Sequence, residues 1–319
     1  METRRLGYFM RIVECGSISR AAAHLKVAQP ALSQQLAILE REMQAQLLTR
    51  SAKGVAPTEA GLALYRHGRI LLRRLDHAHA EVLALAGASG VPVSVGLPLS
   101  TASLLAMPLL QAVRARHAGI RLRLYEDLSA NLATMIRDDR LDLAVLFENE
   151  ETADLRMETL WIEELFLIVP GHSPLPDPVR LEDLSSFAMV IPSPKNGSRL
   201  VLEAALTRLQ RQPHIVAELN SIQTLTAAVA NGIGYTVLPW TAVHDDVLTG
   251  ALRVLTVEDG DMIRHVSLCR ARNAPATPAM EAVAGILREL SLAQALEGRS
   301  RGMTRPNVRT DTCGTRQKS

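Results

Sequence analysis

Apolar residues recur through the first forty positions at helical spacing. Leu6, Phe9, Met10 and Val13 fall on one face of a helix over residues 3–15. Gly16 ends it, and Ser17 is placed to cap the next helix, Ile18 to Leu25, where Ala21 to Ala23 allow close packing. Lys26-Val27-Ala28 is a short connection. Pro30 then sits in the first turn of a third helix, where its missing N–H costs nothing. Leu32, Leu36 and Leu39 form that helix's buried stripe. The turn-rich stretch Ser51 to Pro57 predicts two short strands around Lys53-Gly54, a β-wing. A long helix follows from Thr58 to about Ala88. Its single apolar seam, Leu71, Leu75, Ala78, Val82 and Leu85, steps by three and four residues and asks for a second chain.

Beyond a hinge at Gly87 to Gly90 the pattern changes. Strands are predicted at 92–97, 120–126, 141–147, 161–169, 187–192, 214–219, 234–238 and 264–270. Helices are predicted at 101–116, 129–139, 198–211, 222–231 and 276–293. The alternation implies an α/β fold with parallel sheets covered by helices. Residues 82–113 and 219–243 carry no charge, yet Pro92, Gly96, Pro98 and Pro108 interrupt the first and Gly232, Gly234 and Pro239 the second. Buried elements fit these stretches better than membrane spans. Residues 297–319 form a basic segment with Gly and Pro and are expected to be disordered.

Charge changes the picture by its distribution. The 319-residue chain has a net charge of +2. Residues 1–90 hold 12 Lys/Arg against 7 Asp/Glu (+5), residues 91–298 hold 17 against 25 (−8), and residues 299–319 hold 6 against 1 (+5). A basic front on an acidic body suggests that the front meets a polyanion. Aromatics are only 3% of the chain, which disfavours recognition by base stacking. Cys15, Cys269 and Cys313 are far apart, so neither a disulfide framework nor a metal site is expected, and the first residues lack the apolar run of a signal peptide. These features predict a cytoplasmic protein with no cofactor.

The second and third helices have the layout of a helix-turn-helix over residues 17–40. The exposed start of the second of them offers Gln29, Pro30, Ser33 and Gln34. Glutamine pairs two-fold with adenine, serine serves base or phosphate, and proline meets a thymine methyl. Arg50 and Lys53 on the wing are candidates for backbone or minor-groove contact. Periodicity alone leaves an ordinary three-helix bundle open.

The residues Gly16-Ser17-Ile18-Ser19-Arg20-Ala21-Ala22, then Leu25-Lys26-Val27-Ala28-Gln29-Pro30-Ala31-Leu32-Ser33-Gln34-Gln35-Leu36 and Leu39-Glu40, closely resemble the LysR-type transcriptional regulators. Leu47-Leu48-Thr49-Arg50 and Pro57-Thr58-Glu59-Ala60-Gly61 continue the resemblance, with Ile18 and Leu48 standing where the family often has Phe. The run Asn131 to Phe147 also resembles regulators of nitrogen assimilation and sulfur metabolism, with the nitrogen-assimilation control subgroup as the candidate. The resemblance implies an all-α winged helix-turn-helix at 1–59 and a dimerising linker helix at 58–88 with Leu71, Leu75 and Val82 on its seam. It further implies an α/β two-lobed effector domain like a periplasmic binding protein at 91–296, with lobe I at 91–162 and 268–293 and lobe II at 166–264. Crossovers would lie near Glu163–Val169 and Ile263–Ser267, and effector contacts at Ser100, Thr101, Ser129, Ser193 and Asn196. The implied partners are double-stranded DNA at an operator, a small-molecule effector for which an anion is a candidate, further copies in a homodimer or homotetramer, and RNA polymerase, with no membrane.

Two other classes compete. A solute-binding module would lack the basic helix-turn-helix. An enzyme would need a nucleophile or acid–base pair, and the sequence has no GxSxG elbow, P-loop or HExxH.

Overall fold

Three short helices pack around one apolar knot at the start of the chain: α1 (Thr3–Cys15), α2 (Ile18–Leu25) and α3 (Gln29–Met43). The structure, a computed structural model, describes residues 2–51, 54–85, 90–149, 152–272, 276–296 and 301–304. Leu6, Phe9, Met10, Leu32, Leu36 and Leu39 are buried together, as the helical spacing predicts; Ile12 and Ile18 join them, while Val13, expected on the buried face, is half-buried at its edge. Ala21 and Ala22 are buried, whereas Ala23 is exposed, because only two of the three alanines face the neighbouring helix. Gly16 closes α1 in the left-handed region at φ 59°.

Strands β1 (Leu48–Ser51) and β2 (Gly54–Pro57) pair antiparallel as the wing. Helix α4 (Glu59–Leu85) follows. The Thr58 hydroxyl accepts from the Gly61 amide at 3.0 Å and caps its start. Residues Met1–Pro92 with Asp138–Arg140 form one compact unit, and Val93–Arg137 with Leu141–Ser319 the other. The Leu85 side chain and the hinge residues Gly87 to Ser89 lie outside the described residues.

In the second unit, β3 (Val91–Pro98), α5 (Leu99–Arg116), β4 (Ile120–Asp127), α6 (Ser129–Arg137) and β5 (Leu143–Phe147) alternate. Then come β6 (Arg156–Pro170), β7 (Val179–Arg180), β8 (Ala188–Ile191), α7 (Gly197–Arg208), β9 (His214–Glu218) and α8 (Ile222–Ala230). The chain continues through β10 (Thr236–Pro239), α9 (His244–Leu248), β11 (Leu252–Leu255), β12 (Val257–Glu258), β13 (Ile263–Arg270), α10 (Pro278–Leu296) and β14 (Met303–Thr304). One lobe packs α5 and α10 on β3, β5 and the first half of β6, around Trp161 and Leu105. The other packs α7 and α8 against the second half of β6, around Leu165, Leu167, Phe166 and Ile168.

The sheets are not simply parallel, contrary to the expectation from alternation. β3 pairs with β5 and β8 with β9 in parallel, but β13 runs antiparallel to both β5 and β6, and β10 and β11 run antiparallel to β6. The reason is the return path: β13 brings the chain back from the second lobe to the first. β6 is also longer than predicted, 15 residues rather than nine. Its first half alternates exposed and half-buried positions up to the buried Trp161, with Arg156 and Glu158 facing out, so an apolar run does not reveal it. Asp142 is structural: its buried carboxylate accepts from the Ser94 amide at 2.7 Å and the Ser94 hydroxyl at 2.6 Å.

The expectation of a wholly disordered C-terminal segment is corrected at four residues. Met303 and Thr304 pair antiparallel with Glu163 and Ile162 of β6, so backbone hydrogen bonding orders a stretch whose polar composition conceals it. The rest of 297–319, including Cys313, lies outside the described residues.

Candidate functional sites: a helix-turn-helix face and an inter-lobe cleft

The Ser17 hydroxyl caps α2 by accepting from the Arg20 amide at 3.4 Å. Three residues connect α2 to α3, whose N-cap is Ala28, so no side chain closes the α3 N-terminus. Its first backbone N–H groups are therefore available to a phosphate. Gln29, Pro30 and Gln34 are exposed around this end and Ser33 is half-buried. The Gln29 side-chain amide donates to the Ser33 hydroxyl at 3.2 Å, which ties two of these side chains together. The buried Leu32, Leu36 and Leu39 turn the opposite face of α3 inward and fix the direction in which this polar end points.

The wing is anchored beside it. The Val55 amide donates to the Gly16 carbonyl at 3.0 Å, and the Glu40 carboxylate accepts from the Leu47 amide at 2.8 Å. Arg50 is exposed on β1, while Lys53 lies outside the described residues. On α4, Leu71, Leu75 and Val82 are exposed in the single chain, at 45%, 51% and 64%. A row of large apolar side chains left bare at heptad-like spacing is the surface a partner helix would cover.

In the second unit, the starts of four helices converge on one cleft between the lobes. Leu99 and Ser100 of α5 and Leu128 and Ser129 at α6 come from one lobe. Asn196, Gly197 and Ser198 at α7 and Ile222 of α8 come from the other. Gly197 is required here, because a Cβ on it would stand 2.6 Å from the Phe147 ring of the opposite lobe. Where these helix starts meet, the centre of a water molecule has about 20 Å³ to occupy, room for roughly one water, whereas the adjoining groove between α5 and the start of α8, which shares Leu99 and Ile222, offers about 720 Å³.

The predicted cleft residues divide. Ser100, Ser129 and Asn196 line it. Ser129 accepts from the Phe147 amide at 3.1 Å, and Asn196 caps α7 by accepting from the Ser198 amide at 2.9 Å. Thr101 is buried and donates to the Pro98 carbonyl at 3.0 Å, one turn back within its own helix start, and is not among the lining residues. Ser193 also stands away from the cleft lining, its buried hydroxyl without a hydrogen-bond partner among the described residues.

Sequence reasoning missed the residues that tie the lining together from beneath. Arg264 on β13 and Glu163 on β6 are cross-strand partners and form a buried ion pair at 2.5 Å. The same guanidinium donates to the Ser100 hydroxyl of one lobe at 3.1 Å and the Ser198 hydroxyl of the other at 3.2 Å. It also stacks over the Phe147 ring at 3.6 Å. Burial pushes the guanidinium below its ordinary value, against the pull of the Glu163 carboxylate. A signal was present: charges of opposite sign, Glu163-Glu164 and Arg264, interrupt the apolar stretches of the two segments expected to cross between lobes.

Cys269, on β13, is buried in an apolar setting that pushes its thiol up to about 12, so it is protonated and a poor nucleophile at neutral pH.

Two family profiles match this chain: "Bacterial regulatory helix-turn-helix protein, lysR family" over residues 3–62 and "LysR substrate binding domain" over residues 87–291. The chain is 37% identical over 306 residues to the nitrogen assimilation regulatory proteins nac of Escherichia coli (strain K12) and Klebsiella aerogenes, covering 94% of this chain and 98% of each of them. Its fold is similar to full-length OxyR from Pseudomonas aeruginosa, with a TM-score of 0.65 at 21% identity over 96% of this chain and 98% of that one. It is also similar to CbnR in complex with its target DNA, with a TM-score of 0.64 at 17% identity over 91% and 100%.

Proposed function

Because the chain belongs to the LysR family of bacterial helix-turn-helix regulators, which are DNA-binding transcription regulators with an effector-binding domain, we propose that its inter-lobe cleft takes a small anionic effector and that the start of α3 reads its operator.

The observation that carries the effector class is the convergence of four helix N-termini, α5 to α8, on one cleft. Each brings a partial charge of about +0.5 and backbone N–H donors, and together they favour an anion. Arg264 adds a formal positive charge, but Glu163 already neutralises it. An acidic group on the effector therefore gains most by engaging Ser100, Ser129 and the α7 start, and by competing with Glu163 for the guanidinium. The lobes must part to admit it, and its contacts to both sides then set a new closed geometry.

At the other end, Gln29, Pro30, Ser33 and Gln34 enter the major groove, while Arg50 and Lys53 meet the backbone or minor groove. The bare α4 row of Leu71, Leu75 and Val82 pairs with a second copy, so that two α3 helices address a two-fold operator. A homodimer or homotetramer that contacts RNA polymerase in the cytoplasm, with no catalytic step of its own, completes this reading. The 37% identity to nac over nearly the whole chain supports target genes of nitrogen metabolism.

The test is calorimetric titration of the full chain with short dicarboxylates and acidic amino acids, alongside gel shifts on its own promoter region. At least one anion is expected to bind and to alter the shifted complex. Ser100→Ala and Asn196→Ala are each expected to weaken that binding about tenfold, the loss of one hydrogen bond to a charged group. Effector binding only by neutral or cationic compounds overturns the anionic reading.

A further inference from the structure

We propose that the short C-terminal segment Arg301–Thr304 is a strap across the crossover between the lobes, positioning Glu163 for Arg264 and setting how readily the cleft opens; its consequence for signalling rests on the reading of the cleft given above.

The strap occupies an edge that the fold would otherwise leave bare. At Glu163 one edge of β6 is taken by β13, through the Glu163–Arg264 pairing. β14 pairs with the same residue, Met303 opposite Glu163 and Thr304 opposite Ile162, and so lies on the other edge. An unpaired backbone edge at this point would leave the only segment carrying Glu163 free to flex. With β14 in place, the residue that holds the central guanidinium is flanked by a strand on either side, bonded toward β14 through its neighbour Glu164.

The strap also holds both lobes at once. Toward one lobe, Met303 packs on the core that contains Trp161 and Val266. Toward the other, the Arg301 guanidinium lies over the Phe166 ring at 5.1 Å, donates to the Thr256 hydroxyl at 3.3 Å and faces the Asp177 carboxylate at 3.8 Å. Phe166 belongs to the second lobe's core. Between these two attachments, the Glu164 amide donates to the Gly302 carbonyl at 2.9 Å. Four residues thus contact the first lobe, the crossover and the second lobe in turn. Opening the cleft turns the lobes about this crossover, so it strains or releases these contacts.

Gly302 supplies a selective way to remove the strap. Its φ is +77°, and a Cβ there would stand 2.8 Å from both the Glu164 Cβ and the Phe166 ring. Gly302→Val therefore expels the segment while changing no residue of either lobe or of the cleft. Hydrogen exchange of the full chain, with no ligand added, reads the outcome. In Gly302→Val the Glu164 amide is expected to exchange about tenfold or more faster, and peptides covering 99–104 and 196–202 to exchange faster as the lobes part. Peptides from the cores of the two lobes, 143–147 and 283–287 in one and 188–191 in the other, should be unchanged, which reports that the variant is folded. A chain ending at Leu296 should reproduce the same pattern, and Arg301→Gln a weaker form of it. An unchanged Glu164 amide shows that the strap is not formed and overturns the proposal. A faster Glu164 amide with unchanged cleft peptides shows that it does not govern opening, which also overturns it. Because no effector enters this experiment, its failure is separate from a failure of the anionic-effector reading.

Discussion

Replacing Glu163 by leucine isolates the interaction on which the closed cleft depends. The Arg264 guanidinium is buried, with the Glu163 carboxylate at 2.5 Å, two neutral hydroxyls at 3.1 and 3.2 Å and the Phe147 ring above it. Removing the carboxylate leaves a cation that neither water nor two serines can satisfy. Breaking a buried pair in this way costs about 3–5 kcal/mol, whereas replacing both partners by apolar residues of similar volume is near neutral. For a unit of this size each kcal/mol lowers the melting midpoint by about 2–4 °C, so Glu163→Leu should fall by about 6–20 °C. The assay is a double-mutant cycle of Glu163→Leu, Arg264→Met and the pair together, by urea unfolding followed through Trp161, which is buried on β6 two residues from Glu163. The double variant should lie within about 1–2 kcal/mol of the parent. Simple additivity of the two single losses would refute a coupled pair, as would a loss below about 1 kcal/mol in Glu163→Leu, since an exposed ion pair contributes no more than that.

Leu75→Asp places a charge on the bare row of α4, and sedimentation velocity should show the assembly dissociating toward smaller species at micromolar concentration. Gln29→Ala should reduce discrimination between operator and mutant operator in competition gel shifts, by about 1–3 kcal/mol if the glutamine pairs two-fold with a base, while leaving salt-dependent nonspecific binding intact. Leu36→Ala removes a fully packed side chain from the helix-turn-helix core and should destabilise that unit by about 2–5 kcal/mol in thermal unfolding. The Arg288 guanidinium, bonded to Glu158 at 2.8 and 2.9 Å, holds that carboxyl below the usual carboxylate range. Its contribution is therefore present above about pH 4.3, the unfolded value, and is lost as pH falls through the lower folded value. Arg288→Gln should make the acid side of the melting-temperature profile shallower, and an unchanged profile would count against the pairing.

The helix-turn-helix was legible because its information is local. Gly16, Ser17, Pro30 and the Leu32–Leu36–Leu39 stripe each act within a turn or two of chain, and the structure shows the cap, the left-handed turn and the buried face where the pattern puts them. The seam of α4 was legible for the same reason, as periodicity on one helix. In the effector unit, element types were readable but strand direction was not. Alternation suggested parallel sheets, whereas the chain's return through β13 makes the central pairing antiparallel.

The cleft divides along the same line. Residues at helix starts, such as Ser100, Ser129 and Asn196, could be nominated from sequence because a start is a local event. Which of them face the cleft could not: Thr101 and Ser193 have equally suitable chemistry yet do not line it. The Glu163–Arg264 pair joins residues 101 positions apart, and the strap brings Met303 against Glu163 across 140. By itself the sequence determined a helix-turn-helix, an amphipathic linker and an α/β body, since these follow from short-range periodicity and backbone preference. Tertiary structure alone decided that a buried charge pair and a C-terminal strand meet at one crossover, because pairing across a sheet depends on register between distant segments that no local pattern encodes.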